Sequence, residues 1–182
     1  MPMSPGLRRA SLSVHLTVSV GWIGTVIAYL VLSASSMLAE DAQIVRASWI
    51  AMDLLGWYAT VPLAVTSFLT GLVMALGTKW GLLRHYWVVF SFVLTTFAVV
   101  VLLLHMPDVS RLAAAARNAD ASLEGMSAHL SDRLREGDWL HPGLGLVVLL
   151  AVQVLNLYKP AGLTRYGWRS QQRDRAVARS SA

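Results

Sequence analysis

Four stretches of the chain stay uncharged for long enough to cross a bilayer. The clearest lies between His85 and His105, where residues 86–104 (YWVVFSFVLTTFAVVVLLL) carry no charge. At about 1.5 Å of rise per residue, this run makes a helix of about 28 Å, close to the ~30 Å hydrocarbon core of a membrane. The first stretch follows Arg8 and Arg9, and its apolar part covers 12–34. It exceeds the ~7–15 residues of a signal-peptide core, and it carries His15, Trp22 and Tyr29. We therefore read it as an uncleaved span, against the rival reading of a secretory signal cut near Ser33 to Ser36. The second span is 54–76, with Pro62 inside it and a kink expected where proline crowds the carbonyl of Tyr58. The third is 86–105, closed by Met106-Pro107-Asp108, where proline is expected to stop the helix. The fourth is 140–158, entered through Trp139 and Pro142 and closed by Lys159-Pro160.

The intervening segments have a different pattern. Residues 40–53 form a short polar connection whose later part, AQIVRASWIAMD, is expected to be helical. In 109–136, Leu112, Ala116, Ala119, Leu123, Met126, Leu130 and Leu134 recur at spacings of four and three, the stripe of an amphipathic helix with Ser110 as its N-cap. Small residues form ridges along two spans, Ser13, Thr17, Gly21 and Thr25 on the first and Ser67, Gly71 and Ala75 on the second. Such ridges let helices approach closely. No strand pattern is evident. The expected fold is all-α: a polytopic four-transmembrane-helix bundle over residues 1–160 with an extracytoplasmic amphipathic segment at 109–136. A basic tail follows at 161–182, its end expected to be disordered.

Composition agrees. The chain is 55% hydrophobic and 14% charged, against about 25% charged in soluble domains. It has no cysteine, which excludes disulfides, thiolate metal sites and iron–sulfur clusters. The pI near 10.1 raises the question of nucleic acid, and charge placement answers it. Four spans put both termini on one side. That side holds Arg8, Arg9, Lys79, Arg84, Lys159 and the tail arginines Arg165, Arg169, Arg173, Arg175 and Arg179, with Asp174 as its one acid. The other side holds Arg46, Arg111, Arg117, Arg133 and Arg135 beside nine of the ten acids. Basic residues flanking spans mark the cytoplasmic side. Both termini are therefore expected in the cytoplasm, with the tail against anionic headgroups and no nucleic-acid partner.

Several blocks point further. They are VHLTVSVGW at 14–22, WYATVPLAVTSFLTGL at 57–72, GTKWGLLRHYWVV at 77–89, LLLH at 102–105 and YKPAGLTRYGW at 158–168. The chain resembles a group of bacterial, notably actinomycete, predicted four-span integral membrane proteins of unknown function. That resemblance implies a multi-pass protein of the bacterial cytoplasmic membrane, and it implies no activity.

Candidate chemistry rests on the histidines. The charge-derived orientation places His15 and His85 near the cytoplasmic face and His105 and His141 near the outer face. Two histidines on different helices of a bundle can bind haem b axially, so His15/His85 and His105/His141 are candidate cofactor ligands for transmembrane electron transfer. Depth argues against it. On the third span the two histidines are about 30 Å of helix apart, which leaves each haem poorly covered at an interface. The plainer reading is an interfacial side chain bonded to a neighbour. A copper site from His105, His141 and Met106 is the alternative, because imidazole and thioether together suit Cu(I); a proton-coupled transport component is its companion reading. Asp53, Gln153 and Asn156 are the remaining polar groups at membrane depth, and their bland roles are a helix cap and interhelical hydrogen bonds. Nothing resembles a nucleophile–base pair or a phosphate loop. The chain reads as a non-enzymatic binding or accessory component, alone or with a second copy or another membrane protein.

Overall fold

The computed structural model describes residues 3–78, 81–118, 132–134 and 136–180. The chain is all-α. The helices are α1 (Pro5–Leu38), α2 (Ala42–Leu55), α3 (Val61–Gly77), α4 (Tyr86–Asn118), α5 (Leu140–Tyr158) and α6 (Arg165–Ser180), with a π turn (Gly56–Thr60) between α2 and α3. Among the described residues there is no strand, only an isolated bridge between His85 and Leu163. Four helical stretches are long and apolar enough to cross a membrane: Pro5–Leu38, Ala42–Gly77, Tyr86–Asn118 and Leu140–Tyr158. This is the four-helix bundle of an integral membrane protein by length and composition. Large apolar side chains point outward from all four, among them Val20, Leu69, Phe97 and Val147. That inverts the soluble pattern and suits contact with lipid.

The spans form a ring in which α1 packs on α3, α3 on α4, α4 on α5 and α5 on α1. One end of the ring carries both termini; we call it the terminal face. There the backbone N–H of Met3 donates to Gly77 O at 3.2 Å, and that of Thr164 to Arg84 O at 3.0 Å. Mid-bundle, Trp22, Val26, Ala64 and Leu149 fill the ring's axis. Beyond them, on the far face, Tyr29, Val45, Trp49, Met52, Met106, Val109 and Leu134 build a second core, under a cap made of α2 and the end of α4. The ridge glycine Gly21 packs against Leu63, and the second ridge against α1, where Ser67 and Ser19 hydroxyls meet at 2.8 Å.

The helices outrun the expected spans, and the reasons are local. Helix α4 passes through Pro107 to Asn118, so the third span does not end at 105 and Ser110 is no N-cap. Proline removes one backbone donor, and the flanking Met106 and Val109, each 1% exposed, hold the helix in the far-face core. Residues 42–53 are helical as expected, but they run on into the second span without a break rather than forming a separate connection before it. The kink expected at Pro62 takes the form of the π turn just before it, where the Val61 N–H reaches back to Gly56 O and the Thr60 hydroxyl donates to Leu55 O at 3.2 Å. Residues 165–180 of the tail form α6, which docks on the turn before α4, where Arg84 donates to Ser170 Oγ at 2.7 Å; the last two residues lie outside the described ones. The expectations for 119–131, including Met126, and for Lys79 and Arg135 lie outside the described residues.

Candidate metal centre

The centre is built where the chain re-enters the bundle before α5. Two hydroxyls of α1 and one indole of α2 take hold of that segment. Ser36 Oγ donates to Leu134 O at 2.6 Å and Trp49 Nε1 to the same oxygen at 2.8 Å, while the Asp138 N–H donates to Ser33 Oγ at 2.8 Å. Ser33, Ser36 and Leu134 are all fully buried. Gly137 takes φ +67°, and a Cβ there would fall 2.9 Å from Ser33 O and 2.5 Å from Met37 Cγ. A residue with a side chain does not fit this left-handed position against α1. Glycine thus sets the following residue, Asp138, facing Tyr29 and the start of α5.

Asp138 is the hub. It is 8% exposed. Its Oδ2 accepts from Tyr29 OH at 2.8 Å and lies 2.5 Å from His105 Nε2. Its Oδ1 lies 3.5 Å from His141 Nδ1, one turn along in α5. The His105 and His141 rings stack with centroids 4.0 Å apart and planes 18° from parallel. The three potential ligand atoms all lie within 4.8 Å of one another. Around a tetrahedral ion at ~2.0–2.1 Å, ligand atoms stand about 3.3 Å apart. The His141–Asp138 separation already matches this spacing, and the His105–Asp138 contact has to open by less than about 1 Å. His105 is 17% exposed and His141 51%, so the group opens to the far face through His141.

Burial on its own would push the Asp138 carboxyl up. The hydrogen bond and charge of His105, then the Tyr29 hydroxyl and the charge of His141, outweigh it and hold the group below its ordinary value of 3.8. A carboxyl depressed on folding stabilises the fold fully above its unfolded value, and loses that contribution as pH falls through the folded value. Melting of the metal-free protein should therefore be insensitive to this carboxyl above about pH 4 and fall below it. In Asp138→Asn that acid-dependent part of the Tm profile should vanish, as tryptophan fluorescence in detergent would record.

The sequence candidates fall in different places. His105 and His141 do come together, on α4 and α5. Their stacking at van der Waals distance leaves no space for a porphyrin between them, whereas axial ligands approach iron from opposite faces of the macrocycle. Met106 is not the third partner: its thioether packs against Gly56 of the π turn, where a Cβ would meet it at 2.6 Å. His15 bonds through Nδ1 to Thr70 Oγ1 at 3.0 Å, in a cleft of the terminal face that His85 does not line. Gln153 and Asn156 line that cleft too, and the partner of His15 is Thr70 rather than either of them. Asp53 neither caps its helix end nor meets a histidine. It accepts from Ser110 Oγ at 2.7 Å and Arg117 at 2.8 Å, and Trp57 Nε1 donates to Ser110 Oγ at 2.8 Å, which ties α2 to the extension of α4. Arg46 adds a bond to Ala116 O at 2.8 Å, near the α4 C-terminus. Asp53→Leu should cost about 1–3 kcal/mol by stranding Ser110 and loosening Arg117, read as a lower urea midpoint without loss of metal binding.

Asp138 and Tyr29 are the members that sequence reasoning missed. The available signal was Asp138 three residues before His141, one helical turn away; Tyr29 gave none, since it reads as an ordinary residue of an apolar span. No protein-family model, curated protein or solved structure matches the chain.

Proposed function

We propose that this is a multi-pass protein of the bacterial cytoplasmic membrane that binds one divalent transition-metal ion at its extracytoplasmic face, through His105, Asp138 and His141. One observation carries the reading: three ligating side chains of the right chemistry, from α4, α5 and the segment between them, meet in one partly exposed group. Imidazole and carboxylate ligands suit Zn(II) and Cu(II), with copper the tighter by the usual divalent order. Tyr29 positions the carboxylate through its hydroxyl, the role outer partners play at metal sites. Three ligands leave a coordination position for water or for a group on an exchange partner. Such a site fits metal capture or hand-over better than a closed structural ion. The membrane orientation rests on the charge asymmetry across the bundle.

Two measurements test these points. Purified full-length protein, stripped with chelator and titrated with Zn(II), should take up one ion per chain, and His105→Ala with His141→Ala should abolish uptake. A topology reporter fused after Ala182 should read cytoplasmic, and a periplasmic signal would reverse the face assigned to the metal.

A further inference from the structure

The terminal half of the bundle is not filled. Below the Trp22–Leu149 core, all four spans surround a cleft of about 510 Å³ that opens at the terminal face. Its chemistry is layered by depth. Arg8, Arg9 and Lys159 stand at the mouth. One to two turns deeper, Asn156 and Gln153 line the α5 wall and His15 the α1 wall. Leu16, Phe68 and Phe92 give much of the remaining surface an apolar character.

Two polar features of the wall are left for something else to satisfy. Ser91 is 7% exposed, lines the cleft, and its Oγ has no hydrogen-bond partner among the described residues. The neighbouring hydroxyls of α4 behave differently: Thr95 donates to Ser91 O at 2.7 Å and Thr96 to Phe92 O at 2.8 Å. A buried hydroxyl without a partner costs free energy, so such groups are normally paired. Gln153 and Asn156, half-buried on the neighbouring α5 wall, also make no side-chain hydrogen bond among the described residues.

We propose that this cleft binds one anionic phospholipid from the leaflet at the terminal face, with its phosphate at Arg8 and Arg9 and its ester carbonyls toward Asn156, Gln153 and Ser91. The order of groups along the cleft is the order along such a lipid: phosphate, then ester carbonyls, then an acyl chain. The cationic mouth selects an anionic headgroup over a zwitterionic one. The wall donors supply the bonds that ester oxygens accept, and the apolar surface takes the chain. The site lies at the other end of the bundle from the metal centre and stands independently of it.

The test uses the full chain in detergent, with native mass spectrometry during titration of phosphatidylglycerol, phosphatidylcholine or inorganic phosphate. Phosphatidylglycerol should bind as one tight adduct. Arg8→Gln with Arg9→Gln should weaken it about thirty-fold, from roughly two headgroup-depth charges. Ser91→Phe, which occupies the cleft without touching the arginines, should also remove the tight adduct. Arg169→Gln with Arg173→Gln, an equal loss of charge on α6 outside the cleft, should leave it intact. Equal affinity for phosphatidylcholine, full competition by inorganic phosphate, equal weakening by the α6 pair, or an adduct unaffected by Ser91→Phe would each overturn the proposal. Circular dichroism confirms that each variant is folded before it is read.

Discussion

Asp138→Ala should both abolish tight zinc binding and destabilise the metal-free protein by about 3 kcal/mol, within the usual range for removing one partner of a buried charged pair. The carboxylate is buried and accepts from Tyr29 at 2.8 Å. It also meets His105 at 2.5 Å. Removing it takes away the one carboxylate oxygen that the Tyr29 hydroxyl donates to and His105 Nε2 meets. A buried donor without a partner costs more than the net value of the bond it made. Asp138→Asn separates the two effects. The amide keeps an acceptor for Tyr29 and so recovers part of the stability, while it offers a poor metal ligand. A variant series in which Asn restores both would show that the carboxylate charge is not what the site uses.

Gly137→Val should be nearly as severe, although residue 137 touches no metal. The position needs φ +67°, and its missing Cβ would fall 2.9 Å from a backbone oxygen of α1. The left-handed conformation costs about 1–2 kcal/mol for an ordinary residue and more when it is β-branched. Contact with a backbone atom cannot be relieved by turning a side chain. The segment should lift off α1, break the Ser33 and Ser36 bonds, and carry Asp138 away from His105. Zinc affinity should then fall by at least about ten-fold with all three ligands still present, since outer-shell support alone is worth 10–100-fold. Gly137→Ala, smaller but under the same backbone demand, should lie between wild type and Val in both readouts.

These two residues also mark where the sequence stopped being legible. The spans were readable because soluble helices rarely carry an uncharged run of membrane length, and 140–158 coincides with α5. That both termini meet at one end of the bundle was readable because four spans return the chain to the end where it began. The extent of α4 was not, since a proline stops most helices and nothing local revealed that Met106 and Val109 are clamped against α2. The histidine pair at the far face was visible as two residues near one interface. Its third member was not, because Asp138 is placed by Gly137 and by hydroxyls on α1 more than a hundred residues away in the chain. Ser33 and Ser36 looked like generic small residues near a possible cleavage site, and their role as clasps exists only in three dimensions. Pro62 gave the right location for a disturbance in the second span, and the π turn is its form.

Whether His105, Asp138 and His141 form one metal-binding group is decided by the zinc-to-protein ratio of the full-length chain. The chain is dialysed against buffered Zn(II) beside the His105→Ala, His141→Ala and Asp138→Asn variants. One ion per chain is expected in the wild type and near zero in each variant. A wild type that retains no zinc, or any of the three variants that retains a full equivalent, would contradict the shared site.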